Sequence, residues 1–588
     1  ATVHWRVIMP ASATSIVPIL TVLDDDSVLS SGDITKSDVY DVTLTGDFTA
    51  VTALRLETLP DERLPGGGPG RVHYEGQPGD FILTELTALL DGQPATFTRA
   101  AHSYANGGNH AANAIDGKTD TGWTINGQPG KPHTAMFVFD KPLGKVAKVK
   151  LAMLFERYYA SALGRFRWSV TTDPAPAAIT ALPPAIETRL LTPAAQRSEG
   201  QLADLRRHWL ATAPELADSR KGIDNLRGSL RSYPTSLVLQ ERAPEHARAT
   251  FLHHRGEYLQ PAEQVEPAII SVLNPFPAGA PKNRLGLAMW LVARDNPLTA
   301  RVTVNRQWAA FFGRGIVRTV DDFGYQGEYP SHRALLDWLA VEFMQRGWSL
   351  KTLHKIIVAS ATYRQSSRIS DAAYARDPQN LLLARGPRFR VDAEVIRDSL
   401  LAASGLLSHK VGGPSVFPPQ PASVTNEGAY GRLDWTVSSG EDRFRRGLYT
   451  FMKRTAPYAM TAAFDAPSGE ACIAQREVSN SPLQALMMLN DTVVIECAQA
   501  LGVVIAKLPG DDAARITASV RHCLARSPSE SDLKRLSAFV AKHRARFTAK
   551  ELDPAPLAGP GDGDMIERAV WTALARALMN TDEFVTKE

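Results

Sequence analysis

For its first 90 or so residues the chain alternates apolar and polar positions with a period of two. Segments 15–23 (SIVPILTVL), 39–46 (VYDVTLTG) and 81–90 (FILTELTALL) are rich in β-branched residues and are separated by the turn clusters DDDS, SSGD, TGD and GGGPG. That spacing predicts an antiparallel β-sandwich over residues 1–92. A second β unit is expected over 93–180, with FVFD as one of its strands. Beyond Pro184 the period lengthens toward four, and helices dominate to the end.

The helices announce their own ends. Ser198 and Gln201 form a capping-box pattern before LADLRRHWLATA, and a second helical stretch, PELADSRKGIDNLRGSL, completes a hairpin expected over 181–245. In the large helical region, 246–588, Asn296 and Pro297 open a helix that Gly313 stops, Ser331 opens one that Gly347 stops, and Ser349 opens a third. Leu335, Leu339 and Phe343 share a face of the second of these, as do Leu350, Leu353 and Ile357 of the third. Asp392, Ser481 with Pro482, and the box Ser527, Pro528, Glu530 mark later starts. Between 407 and 467 lies a long irregular segment whose aromatics, Phe417, Tyr430, Trp435, Phe444, Tyr449, Phe451 and Tyr458, give it area to dock on the helical body. The fold class is thus multidomain β plus α.

Composition narrows the function classes. A net charge of +3 over 588 residues, with bases scattered among acids, argues against a nucleic-acid partner. The longest early apolar run is too short for a membrane span, and the first residues lack the regions of a signal peptide. Cys472, Cys497 and Cys523 suit neither a disulfide framework nor a zinc set and read as small hydrophobes. Asp24, Asp25 and Asp26 read as a solvated turn.

The dense stretch 296–367 (NPLTARVTVNRQWAAFFGRGIVRTVDDFGYQGEYPSHRALLDWLAVEFMQRGWSLKTLHKIIVASATYRQSS) resembles the C-terminal PSD domain of the planctomycete-type cytochrome-c-associated proteins, a bacterial family of unassigned function. Segments 53–71, 251–265, 412–421, 440–458, 464–491 and 571–584 resemble other parts of such proteins. The resemblance implies a periplasmic or extracellular setting and a haem-binding cytochrome c module on a preceding part or a partner chain. This chain has no CxxCH and so no covalent c-type haem of its own. It reads as the C-terminal part of a larger protein or as one piece of a split one. Residues 93–174, with AIDGKTDTGW at their centre, resemble a discoidin or galactose-binding-like jelly roll. That likeness implies a structural Ca2+ ion near Asp116 and Asp120, and sugar contacts from loop residues such as Tyr104, Asn106, Asn109, His110 and Asn126, with Trp123 in the core.

Polar chemistry is concentrated between the first two signature helices. Arg314, Arg318, Asp321, Asp322, Glu328 and His332 lie among glycines, with Arg301, Arg306 and Asp337 on the flanking helices. The arginines could bind an anionic sugar, and Asp322, Glu328 or Asp337 with His332 could serve as acid and base. The competing reading is a salt-bridge and capping network. Adjacent His253 and His254 cannot chelate one ion from a strand, His354 reads as structural, and the knot Glu441, Asp442, Arg443, Arg445, Arg446 reads as surface. No GxSxG, HExxH, P-loop or dinucleotide fingerprint stands in a suitable context. Two functions stay open: polysaccharide binding with or without processing, and a non-catalytic scaffold or redox-partner subunit of a cytochrome complex.

Overall fold

A computed structural model of the chain describes residues 3–174, 182–231, 233, 238–239, 241–243, 247–257, 260–421, 435–454 and 456–587. Two compact units result, Ala1–Val265 and Glu266–Glu588. Tyr430 and the expected boundary at 180 lie outside the described residues.

Over residues 3–174 the first unit carries the strands β1 Arg6–Val7, β2 Pro10–Thr14, β3 Ile19–Val22, β4 Val28–Ser31, β5 Ser37–Thr45, β6 Ala53–Thr58, β7 Ile82–Leu83, β8 Glu85–Leu90, β9 Gln93–Ala95, β10 Phe97–His102, β11 Trp123–Thr124, β12 His133–Phe139, β13 Lys148–Glu156 and β14 Arg165–Thr171. One sheet runs β10-β12-β6-β14-β4-β3 with β1 on β14, a second runs β2-β5-β13-β8-β9, and β7 pairs with β11. All of these pairings are antiparallel. The expected division at residue 92 does not separate two domains: β6 lies between β12 and β14, and β13 between β5 and β8. A single core spans the sandwich, from Tyr40, Leu54 and Phe81 to Phe137, Phe155 and Trp168. The alternation in β5 and β13 is what the sequence shows, every second residue buried. Alternation gives each strand an inner face without saying which distant strand completes the sheet.

Helices α1 Pro184–Leu191, α2 Glu199–Thr212 and α3 Ala217–Gly228 follow. The capping box at Ser198 is formed, Gln201 returning its side chain to the Ser198 backbone. A small exposed hairpin, β15 Thr250–His253 with β16 Pro261–Val265, ends the unit and carries His253.

The second unit contains α4 Arg284–Leu291, α5 Thr299–Phe312, α6 Arg333–Gln345, α7 Leu350–Ala359, α8 Ala393–Ser404, α9 Pro482–Asn490, α10 Thr492–Ala506, α11 Asp512–Leu524, α12 Glu530–Thr548 and α13 Met565–Met579. One core joins α5, α6 and α7 through Val304, Trp308, Leu339, Phe343, Leu353 and Ile357. Leu350, expected on that face, is exposed, while Leu336 and Ala340 add to it. A larger core joins α8 and α10 to α13. Asn296 caps α5 by accepting from the Leu298 and Thr299 amides, and Gly313 closes it at φ 71°. Two starts differ from expectation. Ser331 donates to the Ile316 carbonyl instead of capping α6, and the box that opens α12 is Ser529 with Asp532 rather than Ser527 with Glu530. Arg526 bonds to Asp532 and so favours the later register. Among the described residues no single helix is long and apolar enough to cross a membrane; the bent pair α9 and α10 passes on composition, and α10 buries Val493, Val494, Cys497 and Leu501 in the core.

Candidate functional site

The loop between α5 and α6 is held by side chains bonded to its backbone. Asn305, fully buried on α5, donates to the Val317 carbonyl and accepts from its amide at 2.9 and 2.8 Å. Thr319 Oγ1 donates to the Asp322 carbonyl at 2.8 Å and accepts from the Glu328 amide at 3.0 Å, while Asp322 Oδ1 accepts from the Gly324 amide at 2.7 Å. A side chain at Gly327 would place Cβ 2.3 Å from the Asp322 carbonyl oxygen, so only glycine lets the loop close on itself.

The charges on this loop mostly find one another. Arg318 forks onto Glu328, with Nε 2.8 Å from Oε2, and both remain largely exposed. Arg301 Nε donates to Asp337 Oδ1 at 2.7 Å and its Nη1 to the Pro297 carbonyl. Arg314 donates to Gln379; burial first, then the charge of Arg318, depresses its guanidinium pKa, and Asp377 opposes the shift. Arg306 is exposed and makes no ion pair among the described residues. His332 meets Ser331 Oγ at 3.1 Å, and among the described residues it touches neither Asp322, Glu328 nor Asp337. The acid and base set therefore has its members on the loop and on α6, without the contact a proton relay needs.

In the sandwich, Tyr104 Oη donates to the Asn126 carbonyl at 3.0 Å and Asn109 Nδ2 to the Asn106 carbonyl at 3.3 Å, so both polar groups brace their own loop. Trp123 is fully buried, edge-on to Phe81, with its indole N–H donating to the Tyr104 carbonyl. Asp116 accepts from the Lys118 amide and the Thr121 hydroxyl, and the Asp120 carbonyl accepts from Arg157. Among the described residues no three His, Cys, Asp or Glu side chains gather as for a metal ion.

With this geometry in view, the family comparison adds one fact. Residues 283–540 match the family PSD1, a protein of unknown function (DUF1553). No curated protein and no solved structure matches the chain.

Three features of the PSD1 region escaped the sequence. Asn305 carries no signature that distinguishes a buried clamp from a solvent-facing amide. Arg397 and Arg445 are wholly buried, and the Glu441 to Arg446 knot, expected at the surface, is partly interior. Most telling for recognition, Tyr325 and Tyr329 stand fully exposed on the braced loop, and Trp338 is half exposed on the second turn of α6. A glycine-flanked tyrosine pair was the available signal. His354 is bonded to Gln307 and packed on Phe311. Burial pushes the Cys497 and Cys523 thiols up to about 11, which leaves them unreactive at neutral pH.

Proposed function

We propose that the protein binds polysaccharide outside the cytoplasm, through the exposed aromatic loop of the PSD1 region, beside a cytochrome c module or chain that carries the haem. The observation that supports this is the pair Tyr325 and Tyr329, fully exposed on a loop whose backbone is fixed by Asn305, Thr319 and Asp322. Large aromatic faces on a braced backbone, with two side-chain torsions each, lose little entropy on binding and match the apolar face of a pyranose. The neighbouring Arg318 and Glu328 offer hydrogen bonds to its hydroxyls. The setting outside the cell and the cytochrome partner come from the resemblance of segments 296–367, 440–458 and 464–491 to the cytochrome-c-associated family. A structural Ca2+ ion at the Asp116 loop comes from the discoidin likeness of 93–174. Catalysis is not part of the proposal, since His332 lacks a carboxylate partner among the described residues.

Affinity electrophoresis through gels containing alginate, xylan, carrageenan or fucoidan tests the reading. The intact chain is expected to be retarded in at least one gel, and the double variant Tyr325→Ala, Tyr329→Ala to run unretarded with an unchanged thermal midpoint. Equal mobility of the unaltered protein in every gel and in a plain one would reject it.

The scaffold reading is favoured by a different observation: α2 and α3 bury no residue and leave Leu202, Trp209, Ile223 and Leu226 exposed. It predicts co-purification with a c-type haem protein, lost on changing Trp209 and Leu226 to serine, and no retention by polysaccharide.

A further inference from the structure

Exposed aromatic rings are scarce in the sandwich. Of the phenylalanine, tyrosine and tryptophan rings in residues 3–174, only Tyr74 and Tyr158 are more than half exposed, at 71% and 67%. Both belong to a place where two loops meet. Tyr74 stands on the loop 73–79, and Tyr158 on the turn that follows β13.

The two loops are fixed jointly. The first closes on itself, the Gly79 amide donating to the Val72 carbonyl at 2.9 Å and the Val72 amide to the Asp80 carbonyl at 3.2 Å. The second is tied to the base of the first, the Arg71 amide donating to the Ala162 carbonyl at 2.9 Å and the Ile82 amide to that of Ser161 at 2.8 Å. Between them the Tyr159 ring lies against Gly76. A Cβ at Gly76 would come within 2.9 Å of that ring and 2.8 Å of Val72 Cγ1, so only glycine admits the contact. Tyr158 in turn meets Tyr159 edge to face at 4.8 Å, and Arg157 beside it donates to the Asp120 carbonyl at 3.3 Å.

The polar groups beside the exposed rings are available. Glu75 sits in left-handed backbone at φ 62°, a conformation that persists only where the surroundings enforce it. It and Glu156 are exposed and make no ion pair among the described residues. The Tyr74 and Tyr158 hydroxyls and the Glu75 carboxylate make no hydrogen bond among the described residues, whereas Tyr104 and Asn109 are bonded within their own loop.

We propose that Tyr74 and Tyr158 form a second polysaccharide platform, for the interior of a neutral glycan chain, a reading that rests on the polysaccharide class proposed above but on none of its residues. The ring faces receive the C–H side of the sugars, and Glu75 accepts from their hydroxyls. An open surface lets the chain run past in both directions. The two loops expose no leucine, isoleucine, valine or methionine, unlike the apolar centre of a protein interface. Two carboxylates without a paired cation disfavour uronate and sulfated chains.

Affinity electrophoresis of the full chain carrying Tyr325→Ala and Tyr329→Ala isolates this surface, in gels of galactomannan, glucomannan, mixed-linkage β-glucan or pullulan, with alginate as the anionic comparator. Retardation in at least one neutral gel, and less in alginate, is expected. Adding Tyr158→Ala should weaken it about tenfold and Tyr74→Ala about threefold, while Tyr158→Phe keeps most of it. Tyr74→Ala leaves the Tyr158–Tyr159 contact alone and stays informative if Tyr158→Ala perturbs folding. No retardation in any neutral gel, retardation that survives both alanine changes, or stronger retardation in alginate would overturn the proposal. A shift in oligomeric state on changing Tyr74 and Tyr158, with no glycan retention, would overturn it in favour of a second copy of the chain. If alginate, xylan, carrageenan or fucoidan retards the unaltered chain while no neutral gel retards the Tyr325 and Tyr329 variant, only the platform assignment fails. If no gel retards either, the polysaccharide reading fails with it.

Discussion

The two units bury arginine in opposite ways. In the sandwich, Arg55 is matched by Glu57 and Glu187, and Arg167 and Ser169 complete the shell around Glu57. In the helical unit, Arg397 and Arg445 are at least as deeply buried and make no ion pair among the described residues. Arg397 donates to the Arg443 and Arg445 carbonyls, and Arg445 to those of Lys410, Gly412 and Pro414, with its guanidinium 3.6 Å from the centre of the Tyr449 ring. The difference follows from what surrounds each side chain. A sheet has satisfied its backbone, so a charge on its face needs a countercharge. An irregular segment has carbonyls to spare, and a five-donor fork satisfies several of them together.

Breaking the carbonyl-bound arginine should have the largest effect. Arg445→Ala leaves three carbonyls unpaired and empties the Tyr449 face, a loss of about 4 kcal/mol. Denaturant unfolding would show it, and Arg445→Lys should rescue little, because an ammonium cannot span the same acceptors. Full stability in the lysine variant would mean that charge rather than fork geometry holds the segment.

These arginines also mark where the sequence stopped being legible. Helix ends could be read at Asn296, Gly313, Ser349 and Ser481 because a cap is settled within about four residues. At α12 two overlapping boxes competed, and a contact from Arg526 decided between them. Among its described residues the irregular segment docks as its aromatics implied, Tyr458 entering the larger helical core and Trp435 and Phe444 packing against it. The sandwich was legible strand by strand and illegible as a sheet, since β6 pairs with β12 and β14 across long stretches of chain. At the α5–α6 loop the residue types announced a polar surface, yet which arginine meets which acid depends on a turn fixed by Asn305 and Gly327.

On the sandwich side, Glu57→Leu tests whether a countercharge is required. It leaves Arg55 with Glu187 alone and Arg167 without its carboxylate, and should lower stability by about 3 kcal/mol. Combining Glu57→Leu with Arg55→Met should recover part of that loss, as removal of a whole buried pair is often near neutral. Recovery is read as a double variant more stable than the single one. A double variant that is less stable would show that Arg55 contributes mainly through packing against Trp5.

The smallest effect separates the two modes by pH. Asp61 accepts from Arg63 and Arg165, and its carboxyl is held down to about 2 from an ordinary 3.8, chiefly by the hydrogen bonds from Arg63. A carboxyl whose folded pKa lies below its unfolded value stabilises the fold fully above the unfolded pKa. The contribution fades as pH falls from about 4 to about 2. Replacing Asp61 with asparagine should therefore lower stability by at most roughly 2 kcal/mol at neutral pH, and by progressively less as pH falls toward and through about 2. The Arg445→Ala deficit should stay constant over the same range, because its acceptors are carbonyls that do not titrate. Unfolding curves of both variants against the unaltered chain, taken stepwise through that interval, compare a charge that depends on a titrating partner with one that does not. Parallel loss of both deficits in acid would mean that an acidic group also supports Arg445.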